Sequence, residues 1–167
     1  MLLQNKGKRL VSPLSNLSSK QSDCPCGYCF NSSEEKSLFT VFKNDYAIAM
    51  VPERPRIPGN VVIIPYIYHT DFTSLSKKEF HGLFLCVREA TLAVERVYDP
   101  DGTNVWCDWG DITGRSYQHL VWEIVPRNDR KEGRKYRYKD IHLCPKWTQA
   151  QRAEEATRLR EALHHSS

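Results

Sequence analysis

The sequence predicts an α+β fold, and three observations carry that reading. Short runs of β-branched or alternating apolar residues recur between turn-forming residues. One long stretch in their middle has helical periodicity instead. Strand patterns then resume and close the core before a last, polar helix.

Residues 1–22 are rich in Ser, Asn, Lys and Leu without a clear period and read as a flexible arm. Cys24-Pro25-Cys26-Gly27-Tyr28-Cys29 is a tight turn that carries thiols. Residues 38–42 and 46–51 read as paired strands, with Lys43-Asn44-Asp45 as their turn. Residues 52–59 hold three prolines and form a loop, and 60–65 is a buried, β-branched strand. Ser76-Lys77-Lys78-Glu79 is a capping box, so an amphipathic helix is expected to run to about Tyr98. Phe80, Leu83, Phe84, Val87, Thr91, Val94 and Val97 fall at helical spacing as its inner stripe. Asp99-Pro100-Asp101-Gly102 ends it. Strands are expected over 104–109 and 117–127, with a turn over 110–115 between them. Thr148 caps a last helix to about Leu163, whose thin apolar stripe suggests a peripheral or docking element.

At 167 residues the chain is long enough for one domain with a core of ordinary size. With 40% hydrophobic and 26% charged residues, its composition is globular and argues against wholesale disorder. The organisation expected is an arm at 1–22, a core domain at 23–127, and a basic segment with a C-terminal helix at 128–167. No apolar run has the length of a secretory core or a membrane span, which points to the cytoplasm. In that setting six cysteines favour thiols or metal ligation over disulfides, with Cys86 and Cys107 in apolar packing segments. The net charge of +4 is mild, but seven basic residues fall between Arg127 and Lys139. That run is either a solvated loop or a phosphate- or nucleic-acid-facing patch.

The most informative stretch is Tyr117-Gln118-His119-Leu120-Val121-Trp122-Glu123-Ile124-Val125-Pro126-Arg127. Strand alternation puts residues 119, 121 and 123 on one face, and Leu120, Trp122 and Ile124 on the other. It resembles the signature strand of the histidine triad superfamily, which reads His-x-His-x-His before two apolar residues and often Pro-Arg. The resemblance implies a five-stranded antiparallel sheet with a packed helix, often in a dimer. In that family the middle histidine is the nucleophile. Here it is Val121, which cannot attack phosphorus, and the third position is Glu123.

The resemblance also implies a metal site. Zinc-bearing members, and the related galactose-1-phosphate uridylyltransferases, join an early cysteine pair to two histidines. Carried over, the quartet is Cys26, Cys29, His69 and His119. Two thiolates and two imidazoles make a closed tetrahedral site, so the zinc is expected to be structural. Cys24 is an alternative to one thiolate, and His142-x-Cys144 is a rival source of ligands. The contrasting reading leaves the cysteines as free thiols and the histidines as ordinary polar residues.

Gly114-Arg115-Ser116 resembles the phosphate-holding Gly-Gln-Ser of triad hydrolases, and Asn104 is grouped with it. Gly114 permits close backbone approach, and Arg115, in place of glutamine, either binds an anion or points to solvent. Trp109 offers a stacking face beside this pocket, while Asp45 is the nearest match to the acid that meets the ribose. Glu123 is either ion-paired, with Arg115 or Arg127 as candidate partners, or a general acid or base. These features support a nucleotide or phosphorylated-metabolite binder without nucleotidyl-histidine chemistry. An enzyme of altered chemistry (lyase, hydrolase or isomerase) using Glu123, Asp108 or Asp111 is the second reading. A nucleic-acid or protein interaction module built on residues 127–139 is the third.

Overall fold

A computed structural model describes residues 37–110, 113, 118–128 and 144–164. The elements in chain order are β1 (Thr40–Lys43), β2 (Ala47–Met50), β3 (Val61–Pro65), α1 (Lys77–Tyr98), β4 (Gly102–Cys107), β5 (Trp122–Arg127) and α2 (Gln149–His164). A 3-10 turn at Phe72–Ser74 precedes α1. The strands form one five-stranded sheet in the order β1-β2-β3-β5-β4, and every neighbouring pair is antiparallel. The α+β architecture expected from the sequence is therefore the one observed.

Asn44 makes the first hairpin. Its Oδ1 accepts from the backbone N–H groups of Tyr46 and Ala47 at 2.8 and 3.0 Å, while Nδ2 donates to Gly82 O in α1 at 2.7 Å. The capping box at Ser76–Glu79 starts α1, and Asp99 ends it in the left-handed conformation (φ 43°).

Strand alternation divides the interior into two clusters. Val61, Ile63, Leu120, Trp122 and Ile124 face α1, whereas Ile48, Met50, Val62, Ile64, Tyr66 and Val121 face the other way.

Three expectations need correction. The inner stripe of α1 is rotated: Gly82, Cys86, Ala90 and Ala93 are buried with Leu83, Val87 and Val94, while Phe80 and Phe84 remain 41% and 40% exposed. Small residues let the helix lie close to the sheet; a Cβ on Gly82 would stand 2.3 Å from Cδ2 of Tyr46. The strand expected at 104–109 runs over Gly102–Cys107, and the signature strand enters the ladder only at Trp122. Finally, α2 is not peripheral, because Ala156 and Leu159 lie in the main core.

Polar bonds fix α2 as well. Glu155 Oε1 accepts from Gly59 N at 2.9 Å and from the Tyr98 hydroxyl, and Arg152 donates to Val51 O at 2.9 Å. Gly59 sits at φ 85°, where a side chain would be strained and would also meet Pro126 and Tyr98. Thr148 caps the helix as the sequence indicates: its Oγ1 accepts from Gln151 N at 3.2 Å. The flexible-arm reading of residues 1–22 and most of the basic run fall outside the described residues.

Candidate functional site

The site lies where β5 meets the loop before β3. Val121 and Glu123 point to the face away from α1, as the alternation requires. Val121 is 8% exposed and packs in the second cluster. Glu123 is 7% exposed and its carboxylate is held by Arg56: Nε donates to Oε2 at 2.7 Å and Nη2 to Oε1 at 3.0 Å. Two parallel bonds to one carboxylate are the strong geometry for an arginine.

Local structure explains how Arg56 arrives there. Asn60 Oδ1 accepts from Arg56 N at 2.9 Å, and Asn60 Nδ2 donates to Ile124 O at 3.0 Å. The proline-rich loop is thereby folded on itself and tied to β5. Trp106 is the cross-strand partner of Glu123, and its ring lies 5.6 Å from the Arg56 guanidinium carbon. The partner of Glu123 is thus a residue that sequence reasoning did not consider. Nothing in the local pattern around Arg56 marks it, because the pairing spans 67 positions.

The two histidines come together through the backbone, with Leu120 N donating to His69 O at 2.7 Å. His119 is 2% exposed, and its ring lies 5.2 Å from that of Tyr68. The His69 ring is bonded at both nitrogens: Nδ1 to Ser74 Oγ at 2.7 Å and Nε2 to Glu79 Oε1 at 3.1 Å.

Asp71 shapes the turn that delivers Ser74. Its carboxylate accepts from Ser74 N at 3.0 Å and from Thr73 Oγ1 at 2.7 Å, and its carbonyl accepts from Ser74 Oγ at 2.8 Å. The Thr73 hydroxyl does most to hold the Asp71 carboxyl below its ordinary value; slight burial opposes this, and backbone donors and His69 add to it. Burial opposes ionisation of Glu79, but the bonds from Ser76 and His69 outweigh it and leave its carboxyl lowered.

The imidazoles of His69 and His119 are the donors of the expected quartet that the described residues contain, and both ring nitrogens of His69 are bonded, to Ser74 and to Glu79. Cys26 and Cys29 lie outside the described residues, as do Cys24 and His142. Among the described residues no group of three or more His, Cys, Asp or Glu side chains is assembled. The rival ligand Cys144 is buried at 1% exposure.

The expected ligand-pocket residues are spread out. Gly114, Arg115 and Ser116 lie outside the described residues, as does Asp111. Asn104 is exposed and stands opposite Val125, towards the end of β4 away from His119. Trp109 is 44% exposed and stacks on Phe72 with centroids 5.5 Å apart. Asp45 is exposed on the β1–β2 turn, separated from Trp109 by the width of β3 and β5. Cys107 beside this loop has its thiol pushed up to about 12 by burial and then by the Asp108 carboxylate.

A family profile described as "HIT domain" matches residues 33–130. The chain belongs to the HIT family. An uncharacterized HIT-like protein of Mycoplasma genitalium is 26% identical over 114 residues, covering 68% of this chain and 81% of that protein. A bis(5'-adenosyl)-triphosphatase of Dictyostelium discoideum is 28% identical over 86 residues, which are 52% of this chain and 58% of that enzyme.

Solved structures agree on the fold. A HIT-like protein from Bartonella henselae superposes with a TM-score of 0.62 at 21% identity, over 74% of this chain and 85% of that one. A zinc-bound histidine triad protein from Mycobacterium smegmatis gives 0.58 at 20% identity, over 75% and 83%. A structure described as a uridylyltransferase gives 0.62 at 22% identity, over 89% of this chain but 47% of that one. Among the described residues no helix is long and apolar enough to cross a membrane.

Proposed function

We propose that this HIT domain binds a nucleotide or another phosphorylated metabolite without forming a nucleotidyl-histidine, and that a structural zinc stabilises it. One observation carries the first half. The position of the nucleophile is a buried valine, and the neighbouring Glu123 has both oxygens committed to Arg56. A buried carboxylate with both oxygens bonded to one guanidinium has neither oxygen turned to a substrate. That bears against the reading of Glu123 as a catalytic acid or base. The nucleotide class is supported by the dinucleotide-cleaving names of relatives such as the Dictyostelium enzyme.

The zinc ligands in this reading are Cys26, Cys29, His69 and His119, supported by the backbone bond that joins the two histidine segments. The ligand-facing residues are Gly114, Arg115 and Ser116, with Trp109 as a stacking face. A homodimer is supported by β4, which pairs with β5 alone among the described residues and carries the exposed Val105. Cys86 and Cys107, which form no disulfide among the described residues, support a reducing compartment such as the cytoplasm.

The test is metal analysis of the purified chain with a thermal-shift screen of nucleotides and sugar phosphates. One zinc per chain and a rise in melting temperature with one phosphorylated class are expected. Zinc without any ligand response would move the function to macromolecular partners of the basic segment. No zinc would remove the metal branch.

A further inference from the structure

Residues 144–155 bond to the loop that carries Arg56 along its whole length. Arg152 donates to Val51 O through Nε at 3.2 Å and Nη2 at 2.9 Å. Trp147 N donates to Glu53 O at 2.8 Å, and Arg54 Nη1 donates to Cys144 O at 2.8 Å. Lys146 pairs with the Glu53 carboxylate at 2.7 Å on the exposed side, where water screens it. Gly59 N donates to the buried Glu155 carboxylate at 2.9 Å. These ties span loop residues 51–59, and all come from residues beyond the family match at 33–130.

The same loop is held to β5 from its other side. Arg56 closes on Glu123, and Asn60 joins Arg56 N to Ile124 O. Pro52, Pro55 and Pro58 have no N–H to donate, so the loop's closed shape leans on bonds to its neighbours. We propose that residues 144–155 are a strap that keeps the Arg56 loop closed over the β5 face at position 123. Release of the strap opens the loop, parts Arg56 from Glu123 and exposes that carboxylate, while the sheet stays folded. Opening hydrates both members of the ion pair, so neither charge is left buried alone. The rest of α2 keeps its own hold on the core through Ala156 and Leu159, so parting the strap does not undock the helix. The strap requires neither the zinc nor the phosphorylated ligand of the proposed function.

Two readouts on the full chain test this. Amide hydrogen exchange, resolved by NMR, follows the loop at Arg56 N–H, whose acceptor Asn60 no strap variant alters. Carbodiimide coupling of a small amine, located by mass spectrometry, follows exposure of the Glu123 carboxylate. Arg54→Ala deletes the bond to Cys144, and Glu155→Ala deletes the bond to Gly59. In both variants, Arg56 exchange and Glu123 labelling are expected to rise about tenfold, as for loss of one hydrogen bond to a charged group. Exchange at Val62 and Ile63, buried in β3, should rise clearly less. Glu155→Gln keeps an acceptor for Gly59 N and should fall between wild type and Glu155→Ala. Gly82→Ala, which loosens α1 against Tyr46 away from the strap, should do the reverse and speed the β3 amides more than Arg56.

Arg56 exchange or Glu123 labelling that stays at the wild-type level in both Arg54→Ala and Glu155→Ala overturns the inference. So does a common factor for Arg56 and the β3 amides, because residues 144–155 would then be part of one cooperative unit with the sheet. Arg54→Ala and Glu155→Gln leave the apolar core intact, so the outcome stands even where Glu155→Ala does not fold.

Discussion

The Arg56–Glu123 pair gives the sharpest test of the structure, because removing one partner and removing both have opposite consequences. The two side chains are 4% and 9% exposed and share bonds of 2.7 and 3.0 Å. Arg56→Ala leaves a buried carboxylate without its counter-charge, at a cost of about 3–5 kcal/mol. That is a large part of the roughly 5–15 kcal/mol that holds a domain folded. At about 2–4 °C per kcal/mol for a chain of this size, the melting temperature should fall by on the order of 10 °C. Glu123→Ala should behave similarly, tempered by the Trp106 ring beside the guanidinium. The double change Arg56→Met with Glu123→Leu fills the space with apolar volume and should lie within about 1 kcal/mol of wild type, or above it. Urea unfolding followed by circular dichroism, applied also to Arg56→Met and Glu123→Leu singly, gives all four corners of the cycle. A loss below about 1 kcal/mol in Arg56→Ala would mean a solvated pair of the surface kind. A double variant as damaged as the sum of the singles would show that the two residues do not act together.

Gly82→Ala should destabilise by about 1–3 kcal/mol despite the better helix propensity of alanine, since the added methyl meets the root of the Tyr46 ring; chemical denaturation checks it. Val121→His is expected not to restore nucleotidyl transfer, because Glu123 and Arg56 still occupy the adjacent position; robust cleavage of a dinucleotide or an AMP-lysine conjugate by this variant would refute that. Stability should also fall in alkali. Burial, then the Glu89 carboxylate, push the Cys86 thiol from its ordinary value of 9.0 up to about 12. A raised folded value means stability complete below about pH 9 and lost as pH rises, at about 1.4 kcal/mol per unit for this thiol. Cys86→Ala should flatten that slope in unfolding curves taken at rising pH.

Periodicity and turn chemistry made the fold legible wherever short-range physics decides it. Ser76 and Glu79 announced α1, Asn44 lay in the expected turn, and the β-branched run before Pro65 is the buried β3. The facing of α1 was not legible. Helical spacing of large apolar residues favours Phe80 and Phe84, whereas close packing on the sheet selects Gly82, Cys86 and Ala90. The burial of α2 was hidden for a related reason: its anchors are polar, with Glu155 reaching Gly59 and Arg152 reaching Val51. At the site, a valine where the resemblance expects the middle histidine could be read from the sequence alone. What replaces it was not, because Arg56 sits in a proline loop and becomes a neighbour of Glu123 only through Asn60 and the β3–β5 pairing.

Under the proposed reading, the two altered positions act on the family's chemistry in different ways. Valine at 121 deletes a nucleophile but costs the fold nothing, since its side chain joins Val62 and Ile64 in an apolar cluster. Glutamate at 123 places a charge on that same buried face, which is tolerable only with a matched cation. Arg56 supplies it, and its loop is in turn pinned through Gly59 to Glu155 of α2. The Arg56–Glu123 pair on β5 is therefore linked, bond by bond, to a segment beyond the family match at 33–130. A single reversion at 121 leaves that chain of contacts in place, whereas a triad-like face at 123 would require Arg56 to find another partner. The structure thus resists a return to the family's usual chemistry more strongly at 123 than at 121.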